Sequence, residues 1–404
     1  MNISFDNTEN AFAYKSDKEL KSARFLFKTM GHDWFVQLGT RLTPFVMKTG
    51  IPLVNTIIRK TIFKQFVGGE TLAETANVGS LLNKYGINII LDYGVEGKEG
   101  ASFFDAATEE FIRVINYAAE QTNIPFISIK VTGIARIDLL QTLNEAPRLR
   151  SGIHDNEEEN SEWDSVRARM YAICEAAAEK NIGVLVDAEE TWIQDPIDRL
   201  TMEMMEEFNK ESVIVYNTVQ LYRHDRLNFL KLSHKIARQK GFKLGMKLVR
   251  GAYMEKERDS ALQLNHQSPI HKDKEATDKD FNDAVVYCIE NLNDISVVVA
   301  SHNERSNMLA LELMKLKGLP NNHSKVHFSQ LYGMSDHITF NLSKAGYNVS
   351  KYLPFGPIKE VIPYLMRRAE ENTSVSGQTG RELSLINLEL RRRKYKHVDL
   401  DLAE

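Results

Sequence analysis

The chain has 404 residues, of which 43% are hydrophobic and 26% charged, and its formal net charge is -4. This composition is that of a globular protein with one large domain or two smaller ones. So small a charge provides no field that would attract nucleic acid. The two cysteines, Cys174 and Cys288, lie in apolar helical patterns, which predicts buried free thiols in a reducing compartment.

Signals for membrane insertion and export are missing from the sequence pattern. No run approaches the roughly 18 uncharged apolar residues that a membrane span requires. The N-terminal sequence MNISFDNTEN lacks the basic start and the apolar block of a signal peptide, and its acidic character argues against a mitochondrial transit peptide. We therefore expect a cytoplasmic protein, either free or peripheral at the inner face of the membrane.

The sequence pattern of residues 1–68 predicts a helical arm that is rich in basic residues. Between Lys15 and Lys64 there are ten Lys or Arg residues and three acidic ones, interleaved with apolar blocks. One interpretation is an arm that packs on the rest of the protein and exposes a solvated basic face. The other is a patch that contacts anionic lipid.

Short β-branched runs recur along the chain, with amphipathic segments between them. Each run is almost continuously apolar and turns polar at its C-terminal end, which is typical of a strand buried on both faces of a parallel sheet. In chain order the eight runs are INIILDYG from Ile87, FISIKVTG from Phe126, GVLVDAEE from Gly183, VIVYNTVQLY from Val213, LGMKLVRGA from Leu244, VVVASHN from Val297, KVHFSQLYG from Lys325 and NVSKYLPFG from Asn348.

Eight strand and helix units predict a (β/α)8 barrel, the TIM barrel of the α/β class, over residues 69–375. The helical arm precedes it, and residues 376–404 predict a helical tail. A doubly wound sheet is the alternative, but no Gly-rich fingerprint follows the first strand. The long polar stretch from Met254 to Asp283 is predicted to be a loop, and such loops often form lids.

Barrel enzymes place their sites at the C-terminal ends of the strands, so the polar residues there are the candidates. Lys130 and Lys247 end the second and fifth runs, and each is either a partner for a substrate carboxylate or a Schiff-base nucleophile. Asp187 is a candidate base or a partner for a lysine. No metal site is predicted, because no motif with metal-ligand spacing occurs.

An arginine pair follows the eighth run, in the sequence YLMRRAEEN. On a helix, Tyr364, Arg367, Arg368 and Glu371 would lie on one stripe, because they are spaced at i, i+3, i+4 and i+7. A charged stripe is often no more than a solvated face. Two adjacent guanidinium groups repel each other, however, unless an anion neutralises them, and a planar guanidinium binds a carboxylate through two hydrogen bonds.

The sequences KLVRGAYMEKE from Lys247, YLPFGP from Tyr352 and YLMRRAEEN from Tyr364 together resemble the proline dehydrogenase family, flavin-dependent barrel enzymes of proline catabolism. Further similarities are FVGGET, SIKVTG, VDAEE, VQLY, ASHN and QLYGMSD, all in the expected order. The resemblance spans about residues 66–375.

The resemblance implies oxidation of L-proline to 1-pyrroline-5-carboxylate, the first step of proline catabolism to glutamate, with electrons passed to a quinone. Asp187 and Lys247 would form the catalytic pair. Glu70 would pair with the first arginine as a gate. The residues implied for substrate binding are Lys130, Tyr352, Tyr364, Arg367 and Arg368.

The resemblance also implies that FAD lies across the barrel mouth and accepts the hydride that leaves the ring carbon beside the proline nitrogen. A cationic side chain near the flavin would stabilise its reduced, anionic form. The residues implied for cofactor binding are Ala188, Gln220, Arg250, Gly251, Ala252, Ser301, His302 and Glu371.

Three features of the sequence qualify what the resemblance implies. Lys247 stands where many bacterial relatives have Arg, so a point charge replaces a forked hydrogen bond. Tyr352 favours proline, because relatives that prefer hydroxyproline have a small residue there. No aldehyde dehydrogenase module follows residue 404, so we expect the monofunctional form, with a separate pyrroline-5-carboxylate dehydrogenase downstream. The alternatives are a hydroxyproline dehydrogenase, a Schiff-base lyase and a non-catalytic binding barrel.

Overall fold

Eight parallel strands follow one another in sequence order around a closed barrel. The computed structural model describes residues 3–30, 58–94, 100–145, 157–374 and 378–401. The predicted (β/α)8 barrel is confirmed, and all eight predicted runs form strands. The strands are β1 (Asn88–Tyr93), β2 (Phe126–Ile129), β3 (Gly183–Val186), β4 (Val215–Gln220), β5 (Leu244–Val249), β6 (Ile295–Ala300), β7 (Val326–Leu331) and β8 (Val349–Phe355).

Helices precede, connect and follow the strands. The N-terminal part has α1 (Thr8–Ala11), α2 (Asp17–Met30), a π-helical turn (Arg59–Phe63), α3 (Lys64–Phe66) and α4 (Leu72–Asn83). Between the strands lie α5 (Ala101–Ala119), α6 (Ile137–Glu145), α7 (Glu157–Lys180), α8 (Thr191–Phe208), α9 (Arg226–Lys240), α10 (Met254–Gln263), α11 (Lys274–Glu290), α12 (Glu304–Leu316) and α13 (Asp336–Lys344). The chain continues after β8 with α14 (Ile358–Ser374) and α15 (Gln378–Asp401).

The strands are buried on both faces, as their apolar composition predicts. Every residue of β2, β3 and β4 is buried. The register aligns Lys247 of β5 with Thr218 of β4 and with Val298 of β6. Because side chains alternate along a strand, Lys247 lies on the same face of β5 as Gly245 and Val249.

The chain divides into two compact units, one of Ile89–Ser329 and one of Met1–Asn88 with Gln330–Glu404. In the first unit, aromatic rings pack together near the N-terminal ends of the strands. The Phe126 ring meets Tyr216 edge to face at 5.5 Å and the imidazole of His327 at 5.1 Å. Gly183 makes room for this packing, since a Cβ there would lie 2.3 Å from the Phe126 ring. Burial lowers the pKa of His327 to about 3, so its imidazole is neutral.

The second unit has its own apolar core, to which α2, α14 and α15 contribute. Buried members of this core include Phe27 of α2, Leu365 of α14 and Leu385 of α15. A buried ion pair lies in the same unit, where the Lys351 ammonium is 2.9 Å from Asp336. Burial lowers the pKa of Lys351, and the neighbouring Asp336 carboxylate opposes that shift.

Two sequence-based expectations concern segments outside the strands. The stretch after β5 is not simply a loop, because α10 and the first half of α11 lie in it. Asp273 caps α11 by accepting the Ala276 N–H at 2.8 Å, and Phe281 and Val285 are buried on one face of the helix. In the arm, residues 31–57 lie outside the described residues. The predicted domain boundaries at residues 68 and 375 stay predictions.

The described helices also bear on the question of a membrane span. None of them combines the length and the apolar composition that crossing a bilayer requires.

Candidate active site

Two lysines and a carboxylate meet at the C-terminal ends of β2, β3 and β5. Asp187 directly follows β3 and accepts hydrogen bonds from the Lys247 ammonium and from the Ser128 hydroxyl, the latter at 2.7 Å. The Lys130 ammonium lies 3.6 Å from the other Asp187 oxygen. The C-terminal ends of these three strands therefore bring the two predicted catalytic residues into direct contact, with Lys130 beside them.

The charges of this cluster determine the ionisation of its carboxyl group. Burial by itself would raise the pKa of Asp187, but Lys247 and Lys130, together with the hydrogen bonds from Lys247 and Ser128, hold it well below its usual range. Asp187 is therefore an anion at neutral pH, and a weak base while Lys247 is in place. Lys130 lies between two carboxylates, since its ammonium is also 3.9 Å from the buried Asp92.

Arg250 anchors the loop after β5. Its guanidinium donates to Asp278 of α11 at 2.6 and 2.8 Å, to the Ser301 hydroxyl at 2.7 Å and to the Ser306 hydroxyl at 2.9 Å. Its Cζ lies 4.3 Å from the centre of the Phe281 ring. Burial lowers the pKa of Arg250, and Asp278 opposes that shift. The structure thus joins the predicted cofactor residues Arg250 and Ser301 and ties both to α11.

The backbone after Arg250 passes very close to Tyr222, in the loop after β4. Gly251 has a φ of 143°, and a Cβ there would lie 2.4 Å from the Tyr222 ring, so a side chain cannot be accommodated at this position. Ala188, Ala252 and His302, predicted to contact the cofactor, are half-buried at the ends of β3, β5 and β6.

Gln220 ends β4 and is buried. Its amide nitrogen donates to the Glu189 carbonyl oxygen at 3.0 Å, whereas its side-chain oxygen has no hydrogen-bond partner in the described part of the chain. Burial raises the pKa of the neighbouring Glu189 carboxyl to about 7, against the hydrogen bonds from Thr132 and the Lys130 charge, which lower it.

The second compact unit carries the remaining predicted residues. Tyr352 is a buried residue of β8, and its carbonyl oxygen accepts the Tyr332 N–H at 2.9 Å. The predicted helix after β8 is found as α14, where the Arg368 guanidinium lies 5.2 Å from the centre of the Tyr364 ring. Arg368 and Tyr364 are buried and Arg367 is half-buried. The Glu371 side chain lies outside the described residues.

Glu70, the predicted gate, forms an ion pair with Arg59 of the π-helical turn. Its backbone N–H donates to the Glu74 carboxylate at 2.9 Å. Its pairing with Arg367 stays a prediction.

Several residues that support the site were not predicted from the sequence. Ser128 had a local signal, because it is the polar residue of an otherwise apolar strand. Asp278 had none, since it comes 28 residues after Arg250, from a segment interpreted as a loop. Thr132, Thr191 and Glu257 likewise contact partners far from them in the sequence.

Comparisons with known proteins agree with this architecture. The family model described as proline dehydrogenase matches residues 76–381. A carbapenem antibiotics biosynthesis protein, CarD, from Pectobacterium carotovorum subsp. carotovorum is 34% identical over 88% of this chain and 91% of its own length. Proline dehydrogenase 1, mitochondrial, of Dictyostelium discoideum is 32% identical over 96% of this chain and 75% of its own length.

Solved structures share the fold. Proline utilization A (PutA) from Bdellovibrio bacteriovorus, inactivated by N-propargylglycine, superposes with a TM-score of 0.71 at 18% identity, over 93% of this chain. The chain spans 39% of that longer protein. At this identity the similarity establishes the fold alone.

The relatives contradict the cytoplasmic expectation. Those from Dictyostelium discoideum, Arabidopsis thaliana, Caenorhabditis elegans and Homo sapiens are all named as mitochondrial proteins. The expectation rested on the composition of ten N-terminal residues and on apolar runs too short to span a membrane, neither of which assigns a compartment, and it was wrong. The expected family, by contrast, is confirmed by the match over residues 76–381. The chain belongs to the proline dehydrogenase family, oxidoreductases that act on proline.

Proposed function

We propose that this chain catalyses the FAD-dependent oxidation of L-proline to 1-pyrroline-5-carboxylate, the first step of proline catabolism to glutamate. The observation that carries the proposal is the contact of Lys130 and Lys247 with Asp187 at the barrel mouth, within the region that the family model matches. Reaction at a barrel mouth is general for this architecture.

Asp187 and Lys247 would act as one unit. Because Lys247 keeps Asp187 ionised, the pair provides fixed charges rather than a titrating base at neutral pH. The chemistry that FAD supplies when bound is acceptance of a hydride from the ring carbon beside the proline nitrogen. Lys247 would provide the positive charge that favours an anionic reduced flavin, and Asp187 would hold Lys247 in position.

Arg367, Arg368 and Lys130 would bind the proline carboxylate. Guanidinium groups suit a planar carboxylate, because they donate parallel hydrogen bonds to both oxygens. The contact of Arg368 with Tyr364 supports this role, since it orients one guanidinium against an aromatic ring. Tyr364 and Tyr352 would cover the pyrrolidine ring, and Glu70 would pair with Arg367 before substrate binds.

The residues at the strand ends fit a flavin. The buried side-chain oxygen of Gln220 has no partner among the described residues, and the N–H of an isoalloxazine could donate to it. Gly251 lets the backbone approach closely where a side chain would collide. Ala188, Arg250, Ala252, Ser301, His302 and Glu371 would complete the FAD site. We further propose that a quinone accepts the electrons and that a separate pyrroline-5-carboxylate dehydrogenase consumes the product.

The ion pairs of the two lysines and the bulk of Tyr352 bear on the alternative functions. A Schiff-base lyase needs a lysine amine free to attack a carbonyl, whereas both lysines here are ion-paired with carboxylates. Hydroxyproline oxidation is the better alternative, because a hydroxyproline dehydrogenase of Xenopus laevis is 30% identical over 95% of this chain. The bulk of Tyr352 favours proline.

Steady-state kinetics with Arg368→Met test the carboxylate assignment. Losing one charge-assisted hydrogen bond, worth about 1.5 to 3 kcal/mol, should raise the KM for proline by about 10- to 100-fold, and Arg367→Met should do the same. Arg113→Met is the matched control, because this arginine pairs with Glu110 on the exposed face of α5. An unchanged KM in both α14 variants would exclude the carboxylate role, and a wild-type protein inactive on proline and hydroxyproline would exclude the function.

A further inference from the structure

Two threonine and glutamate pairs connect loops of the barrel mouth. In the first, the Glu189 carboxylate accepts the Thr132 N–H at 3.2 Å and its hydroxyl at 2.6 Å. In the second, the Glu257 carboxylate accepts the Thr191 N–H at 2.7 Å and its hydroxyl at 2.6 Å. Both glutamates are buried. We call these pairs the first and the second clasp.

The clasps lie next to the residues that carry charge into the site. Thr132 comes two residues after Lys130 in the loop after β2, and Glu189 comes two residues after Asp187 in the loop after β3. The first clasp therefore joins the two loops whose charged side chains are 3.6 Å apart.

The second clasp extends the connection to β5. Thr191 begins α8, two residues after Glu189, and Glu257 lies in the first turn of α10, after the β5 loop that carries Arg250. The Glu257 carboxylate thereby satisfies the N–H of the first residue of α8, which has no partner within that helix. Through the two clasps the β2, β3 and β5 loops form one connected structure.

The first clasp is also anchored through its backbone. The Glu189 N–H donates to the Gln194 side chain at 2.7 Å. Gln194 in turn donates to Asp198 at 2.9 Å, and Asp198 accepts the Arg226 guanidinium at 2.8 Å. Because Gln194, Asp198 and Arg226 are all buried, Glu189 is held by a rigid polar network rather than by a surface contact.

We propose that the two clasps are positioning elements for proline oxidation, which hold the loops after β2, β3 and β5 so that Lys130 meets Asp187 beside Lys247 of β5. Small displacements of reacting groups reduce rates strongly, by about 100-fold for 1 Å. The clasp residues touch neither substrate nor flavin in this proposal, and their effect passes through the charged residues. The kinetic part of the inference rests on the proposed function.

Isosteric removal of each hydroxyl tests the clasps. Thr132→Val and Thr191→Val each leave a buried carboxylate with one donor fewer, and we expect kcat/KM for proline to fall about tenfold in each. Thr132→Ser and Thr191→Ser keep the hydroxyl and should retain activity within about twofold. Valine variants as active as their serine counterparts would overturn the proposal.

Asn209→Ala is the control for general destabilisation. Asn209 is fully buried and lies away from the barrel mouth. Its side-chain oxygen accepts the Val215 N–H at the start of β4 at 2.9 Å. This variant should lose stability in urea yet keep kcat/KM within about twofold. A loss of kcat/KM in the control as large as in the valine variants would assign the effect to stability and contradict positioning.

Hydrogen exchange separates this inference from the proposed function. Thr191→Val should accelerate amide exchange in α10 relative to Thr191→Ser, whether or not the protein oxidises proline. Equal exchange in the two variants would overturn the second clasp, and the same comparison in the loop after β2 tests the first. A wild-type protein inactive on proline with the exchange difference intact would refute the function and leave the clasps standing.

Discussion

Replacing Lys247 by Met tests the electrostatic balance of the site. Lys247 is buried and donates directly to Asp187, so the substitution leaves that carboxylate with the Ser128 hydroxyl and with Lys130 at 3.6 Å. A hydrogen bond to a charged group contributes about 1.5 to 3 kcal/mol, and removal of one partner of a buried pair costs about 3 to 5 kcal/mol. Because two partners remain, we expect a loss of about 2 to 3 kcal/mol in the free energy of unfolding at pH 7.

The loss of stability in Lys247→Met should depend on pH. At 1.36 kcal/mol per pKa unit, the Asp187 pKa should rise by about 1.5 to 2 units in the variant. The folded-state pKa of Asp187 is lowered, so the stability that the pair contributes is present above the ordinary pKa of about 4 and is lost as the pH falls below it. The difference in stability between wild type and variant should therefore be largest at neutral pH and shrink in acid.

Urea unfolding of the wild type and of Lys247→Met between pH 3 and 7 measures the stability difference. Lys247→Arg keeps the charge and is the control, with a smaller loss of stability expected. If Lys247→Met unfolds at the wild-type urea concentration at pH 7, the proposed coupling between Lys247 and Asp187 is wrong.

Two further substitutions give independent predictions. Tyr352→Ser should raise kcat/KM for hydroxyproline relative to proline, because the smaller side chain makes room for the hydroxyl; an unaltered ratio would count against the use of this residue to infer the substrate. Between pH 7 and 4, His327→Leu should lose about 3 kcal/mol less stability than the wild type. The reason is that His327 has a pKa of about 3 in the folded protein, so over this range its imidazole binds a proton only in the unfolded chain, and this favours unfolding of the wild type. Parallel stability curves in urea for the two proteins would show that His327 does not cause acid sensitivity.

The fold was largely predictable because parallel strands buried on both faces have a strong sequence pattern. The runs around Leu185 and Val298 are apolar without alternation, and each became a strand of the barrel. The segment after β5 was harder, because its polar composition resembles a loop. Its helices depend on a cap at Asp273 and on the burial of a few residues such as Phe281.

The site was predictable to the extent that charged residues lie at the C-terminal ends of strands. Asp187 directly follows β3 and Lys247 lies near the end of β5, and the structure brings them into contact. Their supporting contacts could not be read in the same way. Arg250 reaches Asp278 on α11, and Thr191 reaches Glu257 on α10, and such pairs are formed only when the barrel assembles distant segments.

Anaerobic absorbance spectroscopy of the purified protein with FAD tests the central claim most directly. The preparation should be yellow or take up added FAD, and its flavin band should bleach on adding L-proline, with slower bleaching by hydroxyproline. A protein that binds no FAD, or whose bound flavin stays oxidised with both amino acids, would contradict the assignment as a flavin-dependent proline dehydrogenase.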